Sequence, residues 1–117
     1  MKIVNTEIFQ IHSEVCKTLA SPIRLMILAL LAKKEMSVGE MVEVIGVNLA
    51  NVSQHLGTLR AKNIVKARKE GQMVFYSLVD KRLIDACHLI RSVILEDMQK
   101  RGKLARDFDA SNVIVDE

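Results

Sequence analysis

The stretch that decides the fold reads Ser37-Val-Gly-Glu40-Met-Val-Glu-Val-Ile45-Gly46-Val-Asn48-Leu-Ala-Asn51-Val-Ser53-Gln54-His55-Leu-Gly-Thr-Leu-Arg60. After Ala61 it continues Lys62-Asn-Ile-Val-Lys66-Ala-Arg68-Lys69-Glu70-Gly71-Gln72-Met-Val-Phe75-Tyr-Ser-Leu78. Ser37 followed three residues later by Glu40 is a capping box, which starts a helix. That helix is expected to reach about Ile45, with Gly46 suited to a left-handed position just past its end. Asn48 suits the next N-cap. The gap of about three residues between the two helices is what a helix-turn-helix requires. Residues 64–69 and 73–78 are rich in β-formers, and Glu70-Gly71 supplies a turn between them. A helix-turn-helix followed by a basic hairpin is a DNA-reading arrangement, the winged helix.

The second helix of the pair, expected over residues 49–62, sorts cleanly at roughly 100° per residue. Val52, Leu56 and Leu59 fall inward. Ala50, Asn51, Gln54, Gly57, Thr58 and Ala61 fall outward, with Ser53 and His55 on the flanks. The outer face is uncharged and small, so the helix can approach the floor of a groove. Asn and Gln pair bidentately with adenine edges, and Ser can donate or accept. A merely solvated face would carry more Lys and Glu. For His55 the plainer reading is a flank residue bonded to a neighbouring backbone group. For the hairpin tip, Arg68-Lys69-Glu70-Gly71-Gln72, it is a charged loop that only aids solubility.

Working outward, Val4, Ile8, Ile11, Val15 and Leu19 have helical spacing over residues 4–19. Ser21-Pro22 is an N-cap followed by proline at the first helical position. It opens a helix to about Ala32 with Ile23, Met26, Ile27, Leu30 and Leu31 inward. A last helix is expected over residues 80–101. Its stripe of Leu83, Cys87, Ile90, Ile94 and Met98 is widened by Ile84, Val93 and Leu95. That surplus of apolar surface suggests a dimer seam. The fold class is mainly α with a two-stranded β wing. Residues 1–102 form one DNA-binding and dimerisation domain, and residues 103–117 a flexible tail.

At 117 residues the chain suits one domain with a modest core. Net charge is +3 and unevenly spread. Residues 1–102 hold 15 basic and 10 acidic side chains, and residues 60–69 hold five basic ones with no acid. Such a bias favours polyanions. The most apolar stretch, residues 23–32, contains Arg24 and is too short to span a bilayer. No signal peptide is visible, so a cytoplasmic protein with no membrane partner is expected, its two cysteines starting as thiols. Paired carboxylates, a nucleophile elbow and a phosphate loop are all missing, which argues against an enzyme. A protein-interaction module on the same fold would place acidic or apolar residues on the outer face of the recognition helix, and none stand there.

Three separated motifs resemble the ArsR/SmtB family of bacterial and archaeal repressors. They are Leu19-Ala-Ser-Pro-Ile-Arg24-Leu, Asn51-Val-Ser-Gln-His55-Leu, and Arg68-Lys-Glu-Gly71-Gln-Met-Val-Phe-Tyr76-Ser-Leu78, and the match covers about residues 12–101. The resemblance implies a homodimer joined through the first and last helices, with four helices, a two-stranded wing and a fifth helix. It implies double-stranded operator DNA as partner, released when a small inducer of unknown identity binds. Carried over by position, the DNA contacts are Asn48, Asn51, Ser53, Gln54 and His55 on the recognition helix. Arg68, Lys69 and Gln72 join them on the wing, with Arg60 and Lys62 serving the backbone. Asn48 replaces the family's usual Ser, and both cap helices well.

The family's metal signatures are largely missing. The arsenic type looks like Cys-x-Cys where this chain has Ser37-Val-Gly-Glu-Met41. The zinc type of the last helix, aligned on Asp85, gives Cys87, Met98 and Arg101, and an arginine cannot ligate zinc. No cofactor is expected. Cys16 and Cys87 are similar in placement to the cysteine pair of the family's thiol sensors, which sulfur species bridge. The alternatives are two core cysteines, or a thiophilic metal or arsenite site drawing on His12, Cys16, Cys87 and His88.

Overall fold

The computed structural model describes residues 1–102 and Ile114. The chain divides into two compact units, Met1–Val79 and Asp80–Glu117. The first holds α1 (Glu7–Leu19), α2 (Pro22–Leu31), β1 (Met36–Ser37), α3 (Val38–Ile45), α4 (Leu49–Ala61), β2 (Val65–Glu70) and β3 (Met73–Leu78). The second holds α5 (Arg82–Lys100). The expected tail, Ile114 apart, lies outside the described residues.

Each boundary of the central helices has a local cause. The Ser21 hydroxyl accepts from the Arg24 N–H at 3.3 Å, and Pro22 opens α2 without wasting a donor. At α3 the capping box is closed both ways. The Glu40 N–H reaches the Ser37 hydroxyl at 3.3 Å, and the Ser37 N–H reaches the Glu40 carboxylate at 3.1 Å. Gly46 ends α3 at φ 81°, where a side chain would be strained, and its N–H bonds the Val42 carbonyl at 2.9 Å. Three residues then separate α3 from α4, as expected.

The core of this unit is built from Ile27, Leu28, Leu30 and Leu31 of α2, Met41 of α3, and Val52, Leu56 and Leu59 of α4. Met36, Ile64 and Val65 close it from the sheet side. Removing a fully buried leucine such as Leu56 from such a core costs about 2–5 kcal/mol.

Four expectations need correction. The sheet has three strands, in the order β1-β3-β2, because Met36 and Ser37 pair antiparallel with Tyr76 and Phe75. Two residues are too few to carry a periodic pattern. The hairpin turn is Gly71-Gln72, since Glu70 pairs with Met73 and remains in the ladder. Met26 points out of α2 rather than in. Helix α1 begins at Glu7, so Val4 lies outside it, and α5 begins at Arg82.

Much of α1 and α5 is apolar and open to solvent. Ile8, Phe9 and Ile11 of α1 are exposed, as are Leu89, Ile90, Val93 and Ile94 of α5. No helix among the described residues is long and apolar enough to cross a membrane.

Candidate nucleic-acid interface

Helix α4 is held at its start by the Asn48 carboxamide, whose oxygen accepts from the Asn51 N–H at 2.8 Å. Asn48 thus acts as the cap and spends its acceptor on the helix. Gln54 stands at the centre of the exposed stripe, flanked by Ala50, Gly57 and Ala61, all exposed. Ser53 is exposed at one margin. Asn51, His55 and Thr58, spaced by four and three residues, form a half-buried row at the other. The helix carries no carboxylate along its length. Its exposed surface therefore offers a narrow profile and neutral hydrogen-bonding groups, which is what base edges in a major groove demand.

His55 has a definite partner. Its Nδ1 accepts from Nε of Arg24 at 3.0 Å, and Nη1 of the same guanidinium donates to the Thr18 carbonyl at 3.0 Å. The partner is a side chain from α2, not the backbone group the plainer reading supplied. Arg24 is a functional candidate that sequence patterning missed as a contact. Its signal was its position, the charge inside the most apolar stretch of the chain.

On the wing the basic residues divide into two kinds. Lys66 and Lys69 are exposed, as are the neutral Gln72 of the turn and Arg60 and Lys62 near the end of α4. Among the described residues Arg60, Lys62, Lys66 and Lys69 form no ion pair. Arg68 differs. It donates to Glu35 at 2.7 and 3.3 Å and to Glu70 at 2.6 Å, with its guanidinium 5.1 Å from the centroid of the Phe75 ring. The hydrogen bonds from Arg68 hold the Glu35 carboxyl below the usual carboxylate range, and those two carboxylates push Arg68 further up. The wing's open cations are therefore Lys66 and Lys69, while the fork of Arg68 is committed to the protein itself.

The remaining candidates are spread along two helices. His12 and Cys16 are exposed on α1. On α5, Cys87 is buried and His88 half-buried, its carbonyl accepting from the Ser92 hydroxyl at 3.2 Å. Among the described residues no three His, Cys, Asp or Glu side chains gather closely enough to hold a metal ion.

Residues 21–67 match the family described as "Bacterial regulatory protein, arsR family". The chain is 33% identical over 104 residues to the uncharacterized HTH-type transcriptional regulator Rv0081 of Mycobacterium tuberculosis, covering 88% of this chain and 91% of that one. The crystal structure of that regulator superposes with a TM-score of 0.73 at 34% identity, over 80% of this chain and 95% of that one. A biofilm growth-associated repressor of Xylella fastidiosa is 39% identical over 77 residues, 63% of this chain and 68% of the repressor. The solution structure of a homodimeric winged helix-turn-helix DNA-binding domain, Mb0332 of Mycobacterium bovis, gives a TM-score of 0.73 at 28% identity. It covers 86% of this chain and 93% of that domain.

Proposed function

Because this chain belongs to the arsR family of bacterial regulatory proteins, we propose that it is a homodimeric, sequence-specific repressor that leaves its operator when a small inducer binds. The observation that carries this reading is the exposed stripe of α4. Gln54 sits among Ala50, Gly57 and Ala61, with no acid on the helix and the cations Arg60, Lys62 and Lys69 around it. In this reading Gln54 and Asn51 read bases, while Ser53, the cations and Gln72 grip phosphates and set the register. DNA binding and dimerisation both reside within residues 1–102.

Dimerisation through α1 and α5 is supported by the apolar residues each helix leaves in solvent, and by the homodimeric state of the Mycobacterium bovis relative. The two recognition helices would then meet half-sites about one helical turn apart on a palindrome.

The inducer step is placed at the thiols of Cys16 and Cys87. Exposure of Cys16 supports this, since a soluble sulfur reagent can reach it. The two thiols give up two electrons and two protons as an S–S bond forms between their sulfurs. An inorganic polysulfide takes up the electrons as one of its S–S bonds breaks.

Fluorescence anisotropy with the DNA upstream of the coding gene tests all of this. Tight, salt-sensitive binding is expected, with discrimination against a scrambled duplex lost in the Asn51→Ala, Gln54→Ala double variant. Retained discrimination would sink the assigned reading face. Release by polysulfide that persists in Cys16→Ser would sink the thiol step.

A further inference from the structure

Arg24 ties three helices together. Its N–H is capped by Ser21 at the start of α2, its Nη1 holds the Thr18 carbonyl in the last turn of α1, and its Nε points at Nδ1 of His55 on α4. A guanidinium has donors only and stays protonated, so the ring nitrogen opposite it must offer a bare lone pair. A neutral imidazole has one N–H, and with Nδ1 bare the hydrogen sits on Nε2. The contact therefore selects the tautomer of the neutral His55 ring. The second hydrogen bond, to Thr18, fixes the plane of the guanidinium and with it the orientation of the ring.

Nε2 faces outward. It has no hydrogen-bond partner among the described residues. The one buried side-chain nitrogen or oxygen there without a partner is Nε of Arg91. Nε2 of the half-buried ring is consequently open to solvent. His55 belongs to the marginal row with Asn51 and Thr58, beside the stripe centred on Gln54. At about 100° per residue His55 lies roughly 100° round the helix from Gln54, against roughly 60° for Asn51, so on a helix lying in a major groove His55 meets the sugar-phosphate strand while Asn51 still faces the bases.

We propose that Arg24 is a positioning residue for DNA binding: it holds His55 as a neutral Nε2–H donor aimed at a backbone phosphate oxygen. This rests on the DNA-binding reading above and adds to it how one recognition-helix donor is oriented from another helix.

Two measurements on the full chain test it. Long-range proton–nitrogen NMR of 15N-histidine protein at neutral pH, without DNA, should show His55 with Nδ1 bare and Nε2 protonated. In Arg24→Met that preference should collapse to a mixture of tautomers. A protonated Nδ1 in the wild type, or an unchanged tautomer in Arg24→Met, would overturn the proposal whatever the DNA result.

The second is a double-mutant cycle in DNA affinity. Arg24→Met should weaken binding about tenfold alone, and less than about twofold in a His55→Ala background. Equal losses in the two backgrounds would make Arg24 merely structural and overturn it. The loss should be even across the upstream duplex and a scrambled one, and a loss confined to the upstream duplex would overturn the phosphate assignment. Should Arg24→Met not fold, His55→Gln and His55→Asn decide. The amide of Gln replaces the outer donor and should keep most of the affinity. Asn keeps only the acceptor for Arg24 and should lose it, so the reverse order refutes the proposal. A wild type that binds neither duplex, yet shows the Nε2–H tautomer, would overturn the DNA-binding reading itself and the phosphate contact with it.

Discussion

Arg68 reaches across the central strand of the sheet to Glu35, and two hydrogen bonds of 2.7 and 3.3 Å join them. Arg68 pairs with Phe75 of β3, and Phe75 pairs in turn with Ser37 of β1, two residues beyond Glu35. Neighbouring strands lie about 4.8 Å apart, so the arginine spans two strand spacings, passing over the Phe75 ring on its way. Its far end also takes Glu70 at 2.6 Å. A charge that looks in sequence like part of a basic tip is locally neutralised.

This division of the wing predicts unequal effects of two similar substitutions. Lys69→Ala should lower the slope of log affinity against log salt by about one, the signature of one lost phosphate contact. Arg68→Ala should change the slope by clearly less, because its charge is already balanced. Glu35→Gln should act in the opposite sense, tightening DNA binding as Arg68 is partly freed. Anisotropy titrations over a salt series would check all three, and a larger slope change for Arg68→Ala than for Lys69→Ala would contradict the assignment.

The same pair sets a pH dependence. The Glu35 carboxyl titrates below its ordinary 4.5, first because Arg68 hydrogen-bonds to its charged form. A depressed folded-state value means the pairing contributes fully above pH 4.5 and is lost as the pH falls through that lowered value. The wing's anchorage should therefore be constant from neutral pH down to about 5 and weaken only in more acid solution. Carbon-detected NMR titration of Glu35 should give a midpoint below 4.5 in the wild type, and one returned toward the ordinary value in Arg68→Ala. An unchanged midpoint in that variant would refute the coupling.

The helices were legible because their signals are local. Ser37 with Glu40, Gly46, and Asn48 each satisfy or end a helix within four residues, and all three work in the structure as read. The inward set Val52, Leu56 and Leu59 followed from helical period alone and is fully buried. What escaped the sequence was long-range pairing. Glu35 lies 33 positions from Arg68, and Arg24 lies 31 from His55. No periodicity links residues so far apart. The turn at Gly71-Gln72 was misplaced by one residue because glycine suits either position of a two-residue loop, and ladder pairing decides between them.

The caps give a stability prediction. Asn48→Ala removes the acceptor of the Asn51 N–H and should cost about 1 kcal/mol, whereas Asn48→Asp should retain most of the stability. Ser37→Ala should cost at least as much. Ser37 is itself buried, and its loss leaves the Glu40 N–H without its cap acceptor. Urea denaturation monitored by circular dichroism would measure both. A neutral Asn48→Ala would mean that packing of α4, rather than its cap, fixes where the helix begins.

The apolar faces left in solvent make the last prediction. Leu89 and Val93 are 67% and 62% exposed and lie one turn apart on α5, with Ile90 and Ile94 forming the adjacent pair. A patch of four large apolar side chains on one helix is more than a soluble monomer ordinarily leaves uncovered. On α1, Phe9 adds a ring that is 58% exposed. If these faces are the dimer seam, Leu89→Lys with Val93→Glu should convert the protein to a monomer in light scattering while leaving its helix content unchanged. Loss of the second half-site would remove the effective-concentration advantage of a paired reader, so operator affinity should fall by about 100-fold. Affinity for a single half-site should change little, because Gln54 and its neighbours lie on α4, outside the substituted helix. A double variant that stays dimeric would place the seam elsewhere and leave the exposed face of α5 in need of another partner.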